Sequence, residues 1–371
     1  MKPLQLPWAG HDVPNATLDI LRVCNIRCRY CYNARSTSIK PLADILRELD
    51  TLTQVRNLQA VSISGGEPLL HPELPAIIRA IRAKGLRCLL LTNGLLLDEA
   101  MAQILATAGA DIVALHIQEN QERTDLRDNT STDEVLALRE QKAALLVKRG
   151  IIPGLSITIE LDRPDITRRL LKGFADSPNL EYMLICLAWQ GRPVATQPEA
   201  VKILTKPERD RGRFAPLELT EIFKQHGFLP LVWLPALCDP TLAQWIAYHS
   251  IQRRKNGEVR DMRPLRISLL EKLSIPLMRA LTGRYSFVMR TASWSSKLRL
   301  LVNAVSGGGL CGLWFLMKTL LHGEHVMDKH IVIELPPIPN PEGGFTCCRD
   351  CPNATLRDGR LVAPCQADHP H

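Results

Sequence analysis

Ala16-Thr17-Leu18-Asp19-Ile20-Leu21-Arg22-Val23 runs directly into Cys24-Asn25-Ile26-Arg27-Cys28-Arg29-Tyr30-Cys31, and this stretch organises the reading of the whole chain. The first eight residues read as a strand. The next eight place three thiols in one short loop at its end. Three thiolates can hold three irons of a [4Fe–4S] cube, which leaves the fourth iron open to a small molecule, as catalytic metal sites keep one position free. A structural zinc loop is the alternative, but zinc sites normally take four protein ligands as two pairs, and no fourth Cys or His lies nearby.

Outward from this loop the chain alternates. Lys40 to Gln54 carries Leu42, Ile45, Leu46, Leu49 and Leu52 at helical spacing. Ala60 to Ile63 is a short strand, Leu74 to Lys84 a helix ended near Gly85, and Arg87 to Leu91 a strand closed by Thr92-Asn93-Gly94. Helices over 98–108, 133–149 and 166–174 alternate with strands over 111–117, 154–161 and 182–188. About six β–α repeats predict an α/β fold, a partial (β/α)6 barrel with a parallel sheet, short of a closed eight-stranded barrel. After Gln190 the alternation stops. Four regions follow: a lead-in over 1–15, the barrel over 16–190, a basic, mainly helical extension over 191–335, and a cysteine-rich tail over 336–371. Within the extension, Pro216 to His226, Trp233 to Gln252 after the Leu234-Pro235 break, 265–281, 295–305 and 310–322 are read as helical.

With Cys24, Cys28 and Cys31 placed, the resemblance becomes specific. CxxxCxxC after a first strand resembles the hallmark of the radical S-adenosylmethionine (SAM) superfamily, and further motifs follow in the expected order over roughly residues 16–190. Gly65-Gly66-Glu67-Pro68 resembles the GGEP motif that binds the SAM amino group. Glycines allow close backbone approach there, and Glu67 is a candidate acceptor for an ammonium. Thr92-Asn93-Gly94 resembles the family's TNG, which makes Asn93 a cofactor-site candidate, and Asp125-Leu126-Arg127 resembles its D-x-R segment. The fourth strand departs from the pattern. It ends Leu115-His116-Ile117-Gln118, so His116 or Gln118 is the candidate ribose contact, against the plain alternative that His116 is a packed strand residue. Ser156, Thr158 and Glu160 alternate on one face of the fifth strand, either into the barrel or toward solvent. The resemblance implies a [4Fe–4S] cluster and SAM as cofactors, and a one-electron reductant such as a flavodoxin or ferredoxin. No residue is assigned a catalytic role beyond these.

Cys347-Cys348-Arg349-Asp350-Cys351, with Cys365 after Asp358-Gly359-Arg360, forms a second group. Four thiols within about twenty residues suit a second iron–sulfur cluster. The segment resembles part of the SPASM/twitch auxiliary-cluster domains, with fewer cysteines than a full SPASM domain; zinc is the alternative. Cys88, Cys186, Cys238 and Cys311 stand alone and read as buried thiols.

The eleven cysteines are odd in number and clustered, which argues against a secreted disulfide framework and for a reducing compartment. Met1 to Gly10 has no long apolar run, so no signal peptide is expected, and no apolar stretch reaches membrane-spanning length. A cytoplasmic protein, with peripheral membrane contact as an open reading, is the expectation. The net charge of +8 is concentrated: Ile251 to Leu320 holds 13 Lys and Arg against 3 Asp and Glu. Interleaved with Leu, Trp and Phe, that block suits a lipid or other amphiphilic substrate, since basic amphipathic helices lie on anionic surfaces. The tail is also loosely similar to radical SAM proteins acting on lipids. Peptide or protein modification is the second reading of the substrate. A metal-stabilised nucleic-acid-binding module is the third, but no nucleic-acid motif is present. The plain account of the block is solvated helices packed on the barrel.

Overall fold

Period-two burial builds the sheet and helical-period burial covers it. The computed structural model describes residues 3–29, 31, 33, 36–119, 121–127, 130–160, 163–188, 217–237, 240–267, 269–283, 310–335, 338–339, 345–346, 348 and 350–364. After a two-residue strand β1 (Leu4–Gln5), β2 (Asn15–Asp19) leads into the cysteine loop, which contains β3 (Arg27–Cys28). Then come α1 (Leu42–Val55), β4 (Ala60–Ser64), α2 (Leu74–Ala83), β5 (Arg87–Thr92), α3 (Glu99–Ala108) and β6 (Ile112–Leu115). They are followed by β7 (Gln121–Glu122), α4 (Thr132–Val147), β8 (Ile152–Ile159), α5 (Pro164–Asp176) and β9 (Tyr182–Leu187). Strands β2, β4, β5, β6, β8 and β9 pair side by side, all parallel. The six expected repeats are therefore present in the expected order.

Local signals start and stop these helices where the sequence indicates. Asp98 caps α3 by accepting from the Met101 N–H at 2.7 Å, and Gly109 ends it in the left-handed region. Ser131 and Glu134 form a capping box on α4. Leu74, Ile77, Ile78 and Ile81 form one buried stripe on α2. These helix faces pack on alternate strand residues such as Val61, Ile63, Leu90, Val113, Leu155 and Ile157, forming the main core.

Beyond β9 lie α6 (Leu217–Gln225), β10 (Pro230–Pro235), β11 (Ala243–Lys255), β12 (Glu258–Pro264), α7 (Leu269–Thr282), α8 (Leu310–Leu321) and β13 (His325–Glu334). Helices are present over parts of 216–226, 265–281 and 310–322, as expected, while 295–305 lies outside the described residues. The helix expected over 233–252 is instead strand: β10 and β11 pair antiparallel, β11 pairs β13 antiparallel, and β13 joins β9 in parallel. The sheet thus has eleven strands in the order β1-β10-β11-β13-β9-β8-β6-β5-β4-β2, with β12 on β11. The physical reason for the misreading is that β11 is buried on nearly every residue. A strand covered on both faces loses the alternation that marks a half-buried one.

The same strands change the meaning of the basic block. Arg254 is 1% exposed and Lys329 fully buried. Arg254 donates to Ser177 O at 2.9 Å and Asp176 O at 2.6 Å, and Lys329 Nζ donates to Phe174 O at 2.9 Å, Ser177 O at 2.8 Å and Leu180 O. Both cations satisfy carbonyls at and just beyond the C-terminus of α5, where helices leave acceptors without intrahelical donors.

On the opposite face of the sheet from the main core, a second cluster of Leu6, Trp8, Ala114, Leu184, Trp245 and Val332 fills the concave side. A short C-terminal hairpin, β14 (Thr355–Arg357) and β15 (Arg360–Val362), lies between Cys351 and Cys365 in the chain. Its lead-in touches both sides of the open sheet. Cys348 bridges Ala236 beyond β10, Asn353 Nδ2 donates to Glu334 at the end of β13, and Thr17 of β2 donates to Ala354 O at 2.9 Å. Arg56 Nη1 ties Asn15 O at 2.7 Å to Cys351 O at 2.9 Å, and Arg357 pairs with Asp19.

Candidate functional site

Every loop that carries a motif leaves the C-terminal end of a parallel strand, so the topology gathers them at one end of the sheet, the usual place for sites in such folds. Cys24, Cys28 and Cys31 are half-buried cysteines, none of them in a disulfide, on the loop after β2. The pairing of β3 with β7 sets Cys28 opposite Gln121, whose Nε2 donates to Cys28 Sγ at 3.4 Å. Asn93 Nδ2 donates to Cys24 Sγ at 3.9 Å and to Asn25 Oδ1 at 2.7 Å. Amide N–H groups aimed at sulfur suit thiolate ligands and tune a cluster held by them.

Gly65 and Gly66 lie against the strand end that leads into the cysteine loop. A Cβ on Gly66 would sit 1.9 Å from Val23 O, and one on Gly65 2.4 Å from Leu21 O, with Gly65 at φ +137°. Gly66 N donates to Leu21 O and Glu67 N to Val23 O, both at 2.8 Å. Pro68 opens a one-turn 3-10 helix over Pro68–Leu70, which Glu67 caps.

Glu67 is hydrogen-bonded within the chain through both carboxylate oxygens. It is fully buried; Oε1 accepts from Leu69 N at 2.9 Å and Thr92 Oγ1 at 2.6 Å, and Oε2 accepts from Asn93 N at 2.7 Å. Burial raises its pKa above the ordinary carboxylate value, opposed by these hydrogen bonds and by the Arg123 guanidinium. Its role is to clamp the GGEP and TNG loops together. The carboxylate expected to meet an ammonium is thus hydrogen-bonded within the chain to three donors.

His116 and Gln118 project from the end of β6 on the concave face, beside Ser156 and Thr158 of β8. The His116 Nδ1 lies 2.8 Å from Ser156 O. A carbonyl only accepts, so Nδ1 carries the proton, and burial lowers the ring's pKa, which keeps it neutral. Its Nε2 is then an acceptor. Gln118 uses its amide as a strand extension, with Thr158 N donating to Oε1 at 2.8 Å and Nε2 donating to Thr158 O at 2.7 Å. Both line a cleft with Cys28, Arg29, Thr158 and Glu160.

Three contributors escaped the sequence reading. Arg123 has a side chain with no exposed area; it donates to Asn93 O at 2.8 Å and pairs with Asp125 at 2.8 Å. Asp125 of the D-x-R segment therefore orients Arg123. Arg139, 2% exposed, donates to Ile117 O through Nε at 2.8 Å and Nη2 at 2.6 Å, fixing the strand end between His116 and Gln118. Gln121 is the third. Only Arg139 left a signal, as a charge on the apolar stripe of α4. Of the tail cysteines, Cys348 and Cys351 are half-buried, and Cys347 and Cys365 lie outside the described residues.

Cys186 and Glu334 face the same concave side, with Cys186 Sγ donating to Glu334 Oε2 at 3.7 Å. Burial pushes the Glu334 carboxyl up to about 7. A raised folded-state pKa means the folded protein holds a proton the unfolded chain has lost, so stability falls as pH rises from the ordinary carboxylate range through about 7. The loss amounts to roughly 3 kcal/mol. Glu334→Gln, which imitates the protonated form, is expected to match the wild type near pH 4.5 and exceed it by that order at pH 8. Urea unfolding at both pH values checks this. A residual slope is expected from Glu181, also raised to about 7 by burial.

Comparison with known proteins agrees with this geometry. Residues 18–161 match the family model of the radical SAM superfamily, a span that includes the cysteine loop and strands β4, β5, β6 and β8. The chain is similar to GTP 3′,8-cyclase 1 of Mycobacterium tuberculosis, 33% identical over 132 residues that make up 32% of this chain and 37% of that one. It is similar to PqqA peptide cyclase of Streptomyces rochei, 30% identical over 164 residues, 41% of each. It is also similar to Fe-coproporphyrin III synthase of Methanosarcina barkeri, 30% identical over 125 residues, 32% of this chain and 31% of that one. The chain thus spans well under half the length of these relatives. Among solved structures, Streptococcus suis SuiB bound to S-adenosylmethionine aligns with a TM-score of 0.43 at 16% identity, over 58% of this chain and 48% of that one.

Proposed function

We propose that this chain reductively cleaves SAM and uses the product radical to abstract hydrogen from a substrate. The observation that carries the reading is the Cys24–Cys31 loop, its sulfurs met by the Asn93 and Gln121 amides and its strand end packed on Gly65–Gly66. Three thiols on one loop, with polar N–H groups around them, fit a [4Fe–4S] cluster with one open iron. When bound and reduced, such a cluster with SAM supplies a 5′-deoxyadenosyl radical, and the protein's share is positioning and exclusion of water. Cys24, Cys28 and Cys31 hold the cluster. The backbone at Gly65–Gly66 borders the SAM amino acid moiety. The acceptor Nε2 of His116 faces a ribose hydroxyl. A flavodoxin or ferredoxin supplies the electron, in the cytoplasm.

Anaerobically reconstituted, dithionite-reduced protein is expected to release 5′-deoxyadenosine. Cys28→Ala is expected to lose at least about a hundredfold of that activity while keeping its far-ultraviolet circular dichroism. Wild-type release no faster than Cys28→Ala would sink the reading.

For the tail over 336–371 we propose an auxiliary iron–sulfur cluster on Cys347, Cys348, Cys351 and Cys365, with one of the adjacent pair a spectator. About eight irons per chain support it, and about four with one zinc oppose it.

The extension over 191–335 is assigned to substrate contact. Leu273, Leu277 and Leu281 on α7 and Trp314, Leu320 and Leu321 on α8 are each more than half exposed, which favours a lipid or other amphiphile. No helix among the described residues is long and apolar enough to cross a membrane. The similarity to PqqA peptide cyclase supports a second reading, peptide modification. Release that rises with a lipid extract favours the first; release that rises only with peptide favours the second.

A further inference from the structure

Away from the cysteine loop, β11 and β13 bring three metal-ligating side chains together. His249 lies directly opposite His330 in the antiparallel register, and Asp328 lies opposite Ile251. Period two puts all three on one face. That face is the concave one, because Ile251 and Val332, on the same alternation, belong to the concave cluster. Their exposures are 3%, 8% and 3%. The two imidazoles stack with centroids 3.7 Å apart and planes at 29°, and His249 Nε2 is 2.6 Å from Asp328 Oδ1. One ligand atom from each residue lies within 4.8 Å of the other two.

We propose that His249, Asp328 and His330 form a binding site for a divalent metal ion of the zinc class. Two imidazoles and a carboxylate are a recurrent ligand set for zinc and ferrous iron, and the absence of sulfur separates it from the cysteine sites. Zinc bonds of about 2.0–2.1 Å in a tetrahedral site set ligand atoms roughly 3.3 Å apart. The His249–Asp328 contact therefore opens by less than about 1 Å, and small side-chain rotations bring in His330. The backbone of the next strand holds His330 in place, since Glu181 O accepts from His330 N at 2.8 Å. The cation on the same face, Arg253, is already paired with Glu324 at 3.4 Å. Metal entry displaces the proton shared by His249 and Asp328 to solvent, so no redox step is involved.

The location gives the ion a structural task. β13 is the strand that joins the antiparallel extension to the parallel sheet, and His330 pairs with Tyr182, the first residue of β9. The cysteine loop follows the other ends of the parallel strands. A metal here would pin β11 to β13 beside the strand pair that joins the extension to the barrel, and it does not depend on the SAM chemistry.

The test uses full-length protein with its iron–sulfur sites first reconstituted, so that the cysteines are occupied. Co²⁺ and Zn²⁺ are then titrated against a chromophoric chelator. The expected result is one equivalent of Co²⁺ showing d–d bands without thiolate-to-metal charge transfer, displaced by Zn²⁺. Affinity is expected to fall at least about a hundredfold in His330→Gln and in Asp328→Asn. Because these variants can fail to fold, the wild type alone decides the negative case. No Co²⁺ or Zn²⁺ bound at 100-fold molar excess would overturn the proposal, as would a bound ion whose spectrum shows thiolate charge transfer. 5′-Deoxyadenosine release is read in the same samples and separates failure of this site from failure of the radical chemistry.

Discussion

Gly66→Ala is expected to unfold the cysteine loop's support and leave a protein that cannot hold its iron. The added Cβ would sit 1.9 Å from Val23 O, 2.5 Å from Val23 C and 2.9 Å from Arg22 C. All three are backbone atoms, so no side-chain rotation relieves the clash. The segment must move, and it is the segment that delivers Cys24. The hydrogen bonds from Gly66 N to Leu21 O and Glu67 N to Val23 O are lost with it. Overpacking against fixed backbone costs upward of about 3 kcal/mol. Gly85→Ala is the matched control: φ there is +71° but nothing lies within 4 Å, so only backbone strain of about 1 kcal/mol is expected. Urea midpoints and iron content after reconstitution check both. Equal iron in the two variants would mean that the close approach of the GGEP loop does not position Cys24.

The parallel half of the fold was legible because its signals are local. Helix stripes such as Leu74, Ile77, Ile78 and Ile81, and turns such as Thr92-Asn93-Gly94, are set within a few residues. The cysteine spacing and the order of motifs then placed the site at one end of the sheet. The antiparallel half was not legible for a physical reason. β11 is covered on both faces and carries Gln252, Arg253 and Arg254 in its interior, where each meets a partner far away in sequence. A buried arginine and a solvated one look alike in a sequence, so Arg254 read as part of a charged surface although it caps α5. The same holds at the site. Glu67 matched a motif, but only the three donors around it reveal that it ties two loops together. Arg123 and Gln121 gave no periodic or motif signal, because their roles depend on a loop folding back beside β3.

Glu67→Gln is the change that separates an organising carboxylate from a ligand-binding one, and it is expected to destabilise the protein with no SAM present. The carboxylate offers acceptors in two directions, to Leu69 N and Thr92 Oγ1 on one side and Asn93 N on the other. An amide keeps only one of these. With its NH₂ toward Asn93, it faces a backbone N–H. With its NH₂ toward Leu69, it faces another, and although Thr92 Oγ1 keeps a lone pair beside the one that accepts from Gly94 N at 3.0 Å, Leu69 N loses its acceptor. Either orientation buries an unmatched donor and removes the negative charge beside Arg123. The expected loss is about 2–4 kcal/mol, from an unsatisfied buried donor at roughly 1–3 kcal/mol plus the broken charge pairing. The effect reaches the cluster through Asn93, whose side chain spans Asn25 and Cys24. Shifted absorbance of the reconstituted cluster is therefore expected together with a lower urea midpoint. A ligand-binding role predicts a different pattern, with weaker SAM affinity at unchanged stability and an unchanged cluster spectrum. Measuring the urea midpoint of the SAM-free protein decides between them, because only the clamp requires Glu67 before any ligand arrives.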